Sequence, residues 1–143
     1  MAVFKFIVNS KSKSYKIEKD QGEAPLSGKK IGDTFSGDVI GLNGFELQIT
    51  GGSDNSGFPM RSDIEGTVKK RFLITRGKGF SGIKKIRKKK VIIDGYKKRK
   101  MLRGNIINSD ITQINCKVVK EGEKNLEDLF GKKEEPNQEE KKE

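Results

Sequence analysis

Histidine is absent from this chain of 143 residues, and cysteine occurs once, as Cys116. These absences remove the side chains that build ordinary zinc and iron sites, and one cysteine cannot form an internal disulfide. Without histidine, the commonest general base, hydrolysis or group transfer would have to depend on carboxylates, lysine or tyrosine. We therefore expect no metal, no other cofactor and no catalytic residue, with Cys116 acting as a small buried apolar side chain.

Apolar residues are scarce as well, since they make up 31% of the chain against 36% for charged residues. A chain of this length suits one domain with a lean core, which we place at residues 1–131, followed by a disordered charged tail at residues 132–143. No apolar run is long enough to cross a bilayer, so membrane binding is not expected. Residues 1–8 are too short and too alternating for a signal peptide, which predicts a cytoplasmic protein.

The net charge of +11 is concentrated in one part of the chain. Residues 1–68 carry eight basic and nine acidic groups, whereas residues 69–103 carry sixteen basic groups and a single acidic one, Asp94. Residues 121–143 lean the other way, with nine acidic and five basic groups. This asymmetry is typical of a neutral scaffold that displays a basic binding element, and a polyanion is the natural partner of such an element.

Apolar and polar side chains alternate through much of the chain, which predicts β-strands. The alternation is regular over residues 45–50 and is also present over residues 4–8. In residues 67–74 it would direct Val68 and the other apolar groups of the same parity toward the core. The basic groups of that strand would then lie on the opposite face.

Two further runs, Leu102 to Ile107 and Ile111 to Val119, flank three turn-forming residues and predict an antiparallel hairpin. Seventeen glycines interrupt the short strands and suit the turns and bulges of a barrel. Residues 125–131 carry the one helical signal, with an N-cap candidate, an acidic first turn and a final glycine. We predict a mainly β fold, namely a small β-barrel-like domain with long basic loops and one short C-terminal helix.

Two glycine-rich loops have the spacing of nucleotide-binding motifs but lack their essential residues. Gly52–Gly57 has P-loop spacing, yet Phe58 and Pro59 stand where the lysine and the serine or threonine belong. Gly77–Gly82 matches GxGxxG, but basic residues occupy the place of the acidic residue that binds a ribose. We therefore expect no small-molecule substrate, and we expect Phe80 to pack against the domain.

The basic segment, defined here as residues 69–103, has too few apolar residues to form a core of its own. Its cations repel one another unless a partner supplies negative charge, and RNA phosphates would do so. A solvated face or a targeting signal is the alternative interpretation. The predicted RNA-binding side chains are Arg61, Lys69, Arg71, Arg76, Lys78, Lys84, Lys85, Arg87, Lys88, Lys89, Lys90, Lys97, Lys98, Arg99, Lys100 and Arg103.

Ile49–Met60, with the sequence ITGGSDNSGFPM, closely resembles the signature stretch of a small-subunit ribosomal protein family, S six of the e-type, shared by archaea and eukaryotes. Lys97–Lys100, Arg103–Ile107 and Val118–Lys124 resemble the basic segment and closing strand of that family. The resemblance implies a β-barrel-like domain bound to small-subunit ribosomal RNA, with basic loops threaded among RNA helices. The chain lacks the long basic helical extension with phosphorylation sites that eukaryotic members add, so the resemblance is to the archaeal type.

These observations together predict a structural constituent of the small ribosomal subunit that has no enzymatic activity. Its expected partners are small-subunit ribosomal RNA and neighbouring ribosomal proteins. A free RNA-binding β-barrel that acts as a translation factor is the alternative, because it would need the same basic surface and the same small core. A phosphoryl-transfer enzyme that uses the glycine-rich loops is a third hypothesis, which the missing P-loop lysine and the missing histidines disfavour.

Overall fold

The structure, a computed structural model, describes residues 3–122 and 126–130. It confirms a mainly β protein. A 3-10 turn occupies Gly37–Ile40. Leu126–Phe130 form only a single helical turn, α1, so the predicted C-terminal helix is not supported. The predicted tail at residues 132–143 lies outside the described residues. The described residues form nine strands, which are β1 (Val3–Ser10), β2 (Lys13–Asp20), β3 (Thr34–Ser36), β4 (Glu46–Asp54), β5 (Lys69–Ile74), β6 (Ile83–Ile86), β7 (Lys89–Ile92), β8 (Lys98–Arg103) and β9 (Ile111–Lys120).

Five of these strands form the main sheet, in the order β2-β1-β9-β4-β3. The last strand, β9, runs parallel to β1 on one side and antiparallel to β4 on the other. The first and last strands of the domain are therefore neighbours. Because β9 occupies the centre of the sheet, the sheet cannot form until residues 111–120 have joined the strands that precede them.

The core lies against one face of the main sheet, and strand alternation explains its composition. Phe4, Phe6 and Val8 of β1 point to this face, as do Leu47 and Ile49 of β4. The remaining members come from β3, β9, the 3-10 turn, the loops and α1. They are Ala24, Leu26, Phe35, Ile40, Leu42, Phe45, Met60, Ile107, Ile111, Ile114, Cys116 and Leu126.

Cys116 is fully buried in this core, which confirms its predicted role as an apolar side chain. Burial disfavours the charged thiolate and raises the pKa of the Cys116 thiol to about 12. The thiol is therefore neutral and unreactive in the folded protein at physiological pH.

The basic segment forms two small antiparallel pairs outside the main sheet, β5 with β8 and β6 with β7. One face of the β5–β8 pair carries Ile74 and Leu102, which pack with Phe80 in a second, much smaller apolar cluster. Phe80 is 7% exposed, so the prediction that it packs is confirmed. Every residue of β6 and β7 is exposed, so this hairpin has no core beneath either of its faces.

The predicted barrel is wrong for the described residues, in which the main sheet stays open. The two edge strands, β2 and β3, each pair with one neighbour and not with each other. Closure would require hydrogen bonds along both edges, but β3 has three residues and β2 has eight. So short a strand offers too few backbone groups to close the sheet.

The predicted hairpin between residues 102–107 and 111–119 is also wrong. β8 ends at Arg103 and pairs with β5, whereas β9 pairs with β1 and β4. The connection from Gly104 to Asp110 is long enough to lead the two strands into different sheets, and Ile107 enters the main core on the way. In the same way, Val68 is 47% exposed rather than buried, because regular β5 pairing begins only at the following residue.

Gly52 lets β4 approach β9 closely. A Cβ atom at this position would overlap the backbone oxygen of Gln113 and would press on the sulfur of Met60. Gly51, the preceding residue of the same strand, has open space where its Cβ would lie. A side chain is therefore sterically excluded at Gly52 but has room at Gly51.

We predict that Gly52→Ala lowers the free energy of unfolding by about 1–3 kcal/mol, because the added methyl group forces β4 away from β9. Gly51→Ala is the matched control and should change stability by less than about 1 kcal/mol. Urea denaturation of both variants measures the difference. Equal stability of the two variants would contradict the close contact between β4 and β9.

Candidate nucleic-acid interface

The structure places thirteen of the sixteen predicted RNA-binding side chains on the surface. The other three differ from them. Arg61 and Lys100 are half-buried, and Arg103 is buried. Lys70, which the sequence analysis did not select, is exposed on β5 among the others. The thirteen exposed residues are Lys69, Arg71, Arg76, Lys78, Lys84, Lys85, Arg87, Lys88, Lys89, Lys90, Lys97, Lys98 and Arg99.

The β5–β8 pair presents a basic face directed away from the small apolar cluster. Arg71 stands opposite Met101, and Leu73, which is 61% exposed, stands opposite Arg99. Within the described residues, only Lys69 and Arg103 of the basic segment lie within 4 Å of a carboxylate. The remaining cations of the segment are therefore available to an external anion.

The β6–β7 hairpin carries cations on both faces. In its register Lys85 is opposite Lys90, and Ile86 is opposite Lys89, so these two pairs point to opposite sides of the ribbon. The tip residues Arg87 and Lys88 both have positive φ angles, 44° and 68°. Two consecutive left-handed residues make the tight turn that suits a twisted hairpin, although glycine or asparagine is usual there. The hairpin therefore ends in two adjacent cations.

A buried ion-pair network joins the basic segment to the main sheet. The carboxylate of Asp54, at the end of β4, lies 3.1 Å from Arg103 Nε and 3.1 Å from Lys69 Nζ. Arg103 also donates through Nη2 to Asp110 Oδ2 over 3.0 Å. The side chain of Asp54 is 1% exposed and that of Arg103 is 9% exposed. The contact is therefore shielded from water and from salt, unlike a surface ion pair.

Asp54 is ionised in this environment. Burial alone would raise the pKa of its carboxyl group. The backbone N–H of Phe58, which donates over 2.8 Å, and the cations Lys69 and Arg103 outweigh burial and hold the pKa of Asp54 below its ordinary value of 3.8. The negative charge on Asp54 is therefore present throughout the physiological range.

The signature stretch Ile49–Met60 builds this junction. Thr50 bulges out of the pairing with β9, and its hydroxyl donates to the backbone oxygen of Asn115. The chain then turns at Asp54–Gly57 and returns, so that the N–H of Met60 donates to the oxygen of Gly52 over 2.9 Å. Met60 is buried in the main core and anchors the segment that returns from the turn.

The segment that returns from this turn, residues 58–61, is hydrogen-bonded to the end of β8. The N–H of Arg103 donates to the oxygen of Pro59 over 3.0 Å, and the N–H of Arg61 donates to the oxygen of Arg103 over 3.1 Å. The guanidinium of Arg61 forms a bidentate pair with Asp63, at 2.8 and 2.7 Å. The signature stretch is thus a connector between the main sheet and the basic segment.

Sequence analysis missed the role of Asp54, since it treated that residue as part of a loop and Arg103 as one more RNA-binding cation. The structure gives Arg103 two carboxylate partners inside the protein. One signal was present in the sequence, because Asp54 is an acidic residue inside a stretch that otherwise consists of glycine, small polar and apolar residues. Its partner lies 49 positions away, and sequence pattern alone does not reveal it.

A polar cleft of about 620 Å³ lies beside the network. Its lining includes Lys5, Asn55, Lys69, Ser109 and Asp110. In the described part of the chain, no group of three or more histidine, cysteine, aspartate or glutamate side chains could hold a metal ion. No helix of residues 3–122 and 126–130 is long and apolar enough to cross a membrane.

The family model of ribosomal protein S6e matches residues 3–131. The chain belongs to this family. It is 41% identical over 138 residues to small ribosomal subunit protein eS6 of Methanosphaera stadtmanae, a match that covers 96% of this chain and 99% of that protein. It is 47% identical over 133 residues to the protein of the same name from Methanocaldococcus jannaschii, covering 92% and 93% of the two chains. The protein of Methanothermobacter thermautotrophicus is 45% identical over 133 residues, covering 92% and 98%.

The S6e match confirms the family that the Ile49–Met60 stretch indicated, and the relatives confirm its archaeal type. S6e proteins are structural ribosomal proteins and not enzymes. The prediction of a protein without catalytic activity is therefore confirmed, and the phosphoryl-transfer hypothesis is excluded. The exposed cations of the basic segment remain predicted RNA contacts.

We predict that Asp54→Asn lowers the free energy of unfolding by about 3–5 kcal/mol at neutral pH, because Arg103 loses its one buried carboxylate partner and keeps only the exposed carboxylate of Asp110. Asparagine is the right replacement because its side-chain oxygen still accepts from the N–H of Phe58. Asp63→Asn is the control. The pair with Arg61 is largely exposed at the Asp63 side, so the control should cost less than about 1 kcal/mol.

The pH dependence gives a second readout of the same change. Because the pKa of Asp54 is lower in the folded than in the unfolded protein, its stabilisation is complete above about pH 4 and is lost as the pH falls through the folded pKa. Wild type should therefore lose more stability below pH 4 than Asp54→Asn does. If the free energy of unfolding of the two proteins changed in parallel with pH, this would contradict an ionised, buried Asp54.

Proposed function

We propose that this protein is a structural constituent of the small ribosomal subunit in the cytoplasm, and that it binds ribosomal RNA through the basic segment. One observation carries the proposal. Most cations of residues 69–103 stand exposed on the two strand pairs and their connecting loops, with Asp94 as the one acidic residue among them. Such a surface repels itself in isolation and is stabilised by a polyanion. The relatives are named as proteins of the small ribosomal subunit, which supports the same conclusion.

The shape of the basic segment supports RNA as that polyanion. The β6–β7 hairpin has no apolar core under it, and Lys85 and Lys89 extend from opposite faces. Phosphate groups lie on several sides of a folded RNA, so a ribbon with cations on both faces can be neutralised along its whole length. Arginines and lysines would fix position and affinity, while RNA shape would supply specificity.

The aromatic side chains of the segment do not form a stacking platform for bases. Phe80 is buried against Tyr96, and their ring centres are 5.5 Å apart. Lys100 Nζ stands 5.8 Å from the centre of the Phe80 ring, and Lys84 Nζ stands 5.9 Å from the centre of the Tyr96 ring. The rings thus support the basic side chains, and we propose that backbone phosphates are the principal targets of the segment.

Neighbouring ribosomal proteins are proposed as further partners, and a passive role is proposed for the tail at residues 132–143.

Sedimentation through a high-salt gradient tests the assignment to the subunit. A structural constituent stays with small subunits at a stoichiometry near one, whereas a translation factor is released or is found on a fraction of particles. Release of the tagged protein from small subunits would favour the translation factor.

Replacing Lys88, Lys89 and Lys90 by alanine should lower the slope of log affinity against log salt by about 2–3, at about 0.7–0.9 for each lost phosphate contact. The measurement is binding of the full chain to small-subunit ribosomal RNA between 0.05 and 0.3 M salt. The matched control replaces Lys11, Lys16 and Lys117, which are exposed at the β1–β2 turn and on the outward face of the main sheet, outside the basic segment and the polar cleft.

The control removes the same charge from a different surface and should leave the slope within experimental error of wild type. Deleting residues 132–143 should also leave the slope unchanged, because that stretch carries more acidic than basic groups. An equal loss of slope in the hairpin variant and in the outward-face variant would show that net charge, and not the basic segment, determines binding.

A further inference from the structure

The polar cleft beside the ion-pair network contains an acidic group in a protein whose proposed partner is a polyanion. Asp110 lies at its wall, and its side chain is 58% exposed. A carboxylate near RNA phosphates weakens binding by repulsion unless it accepts hydrogen bonds from the RNA itself. The contacts of Asp110 therefore help to identify the ligand that the cleft binds.

The Asp110 carboxylate is held in one orientation. Its Oδ2 accepts from Arg103 Nη2 over 3.0 Å and from Asn108 Nδ2 over 3.4 Å. The backbone N–H of Asp110 donates to Asn108 Oδ1 over 3.3 Å, which fixes the turn that carries the residue. Arg103 is itself buried and paired with Asp54. The carboxylate is thus oriented by a rigid part of the fold before any partner arrives.

The cleft has the size and chemistry to hold one nucleotide. At about 620 Å³ it falls within the range of ligand sites, which is roughly 300–1,000 Å³. Lys5 lines it and can receive a phosphate, while Asn55 and Ser109 offer further polar groups near Asp110. Gln21 donates to the backbone oxygen of Ser109 over 3.0 Å and holds that wall in place.

We propose that this cleft binds a single unpaired guanine of the ribosomal RNA, with Asp110 accepting hydrogen bonds from its Watson–Crick edge. Guanine presents two adjacent donors on that edge, N1–H and the N2 amino group, and both can point at Asp110 Oδ1, because the intramolecular contacts of the carboxylate are made by Oδ2. Cytosine and adenine place an acceptor beside their amino group, and that acceptor would face the carboxylate unfavourably. This proposal rests on the proposed function, because it requires that the chain binds RNA.

The proposal predicts an effect whose sign is opposite to that of simple electrostatics. Asp110→Asn removes a negative charge and would tighten RNA binding if the carboxylate were only a repulsive neighbour. If the carboxylate binds guanine, the same change weakens binding roughly 5- to 150-fold, the range found for one bidentate base contact. The slope of log affinity against log salt should stay unchanged, because no phosphate contact is lost.

Asp94→Asn is the matched control. Asp94 is exposed in the basic segment, and this change removes the same charge without touching the cleft, so it should leave affinity unchanged or increase it. The thermal stability of both variants is measured in parallel, because Asp110 also contacts Arg103. Asn55→Ala serves as a second cleft variant that leaves the ion-pair network intact.

Inosine interference mapping then identifies the base. Small-subunit ribosomal RNA is transcribed with scattered inosine, which lacks the N2 amino group, and is bound to the full chain. Wild type should show interference at one unpaired guanine position, and Asp110→Asn should lose that interference. Interference that is equal in both proteins would overturn the proposal.

Two further outcomes would overturn the proposal and leave the proposed function intact. Tighter binding by Asp110→Asn would show that the carboxylate is only repulsive. Normal binding of Asp110→Asn to naked RNA, with poor incorporation into subunits, would show that a basic side chain of a neighbouring protein occupies the cleft. Failure of the wild-type protein to bind the RNA at all would instead contradict the proposed function.

Discussion

The contact between Asp54 and Arg103 is the interaction on which the arrangement of this protein depends. The main sheet has its own large core, whereas the basic segment has three buried apolar side chains and many cations. Repulsion among those cations opposes any fixed position for β5 and β8. A buried carboxylate at the end of β4 offsets that repulsion where the two parts meet, because it pairs with one cation from each strand, Lys69 and Arg103.

The signature stretch is best understood through this contact. Gly52 brings β4 against β9, the turn after Asp54 reverses the chain, and Met60 fixes the return in the core. These features place the acidic group and the backbone of Pro59 beside β8. The most unusual part of the sequence therefore serves to position the basic segment, whose exposed lysines and arginines are proposed to bind RNA.

Local pattern was sufficient to predict the strand at residues 45–50, the burial of Cys116 and the location of the cations, since each depends on neighbouring residues alone. Pairing partners were not predictable in this way. Residues 102–107 and 111–119 look like a hairpin, yet they join different sheets because of long-range contacts with β5, β1 and β4. Arg103 resembled its basic neighbours for the same reason, since its partner lies in a distant part of the sequence.

A double-mutant cycle between Asp54→Asn and Arg103→Met tests the central claim most directly, with the free energy of unfolding as the measured quantity. Either single change removes the buried partner of a buried charged group, which keeps only a more exposed partner, Asp110 for Arg103 or Lys69 for Asp54, whereas the double variant removes both buried charges. We predict that the double variant is no less stable than the worse single variant, with a coupling energy of about 2 kcal/mol or more. Additive effects, within about 0.5 kcal/mol, would contradict the claim that this pair holds the basic segment on the main sheet.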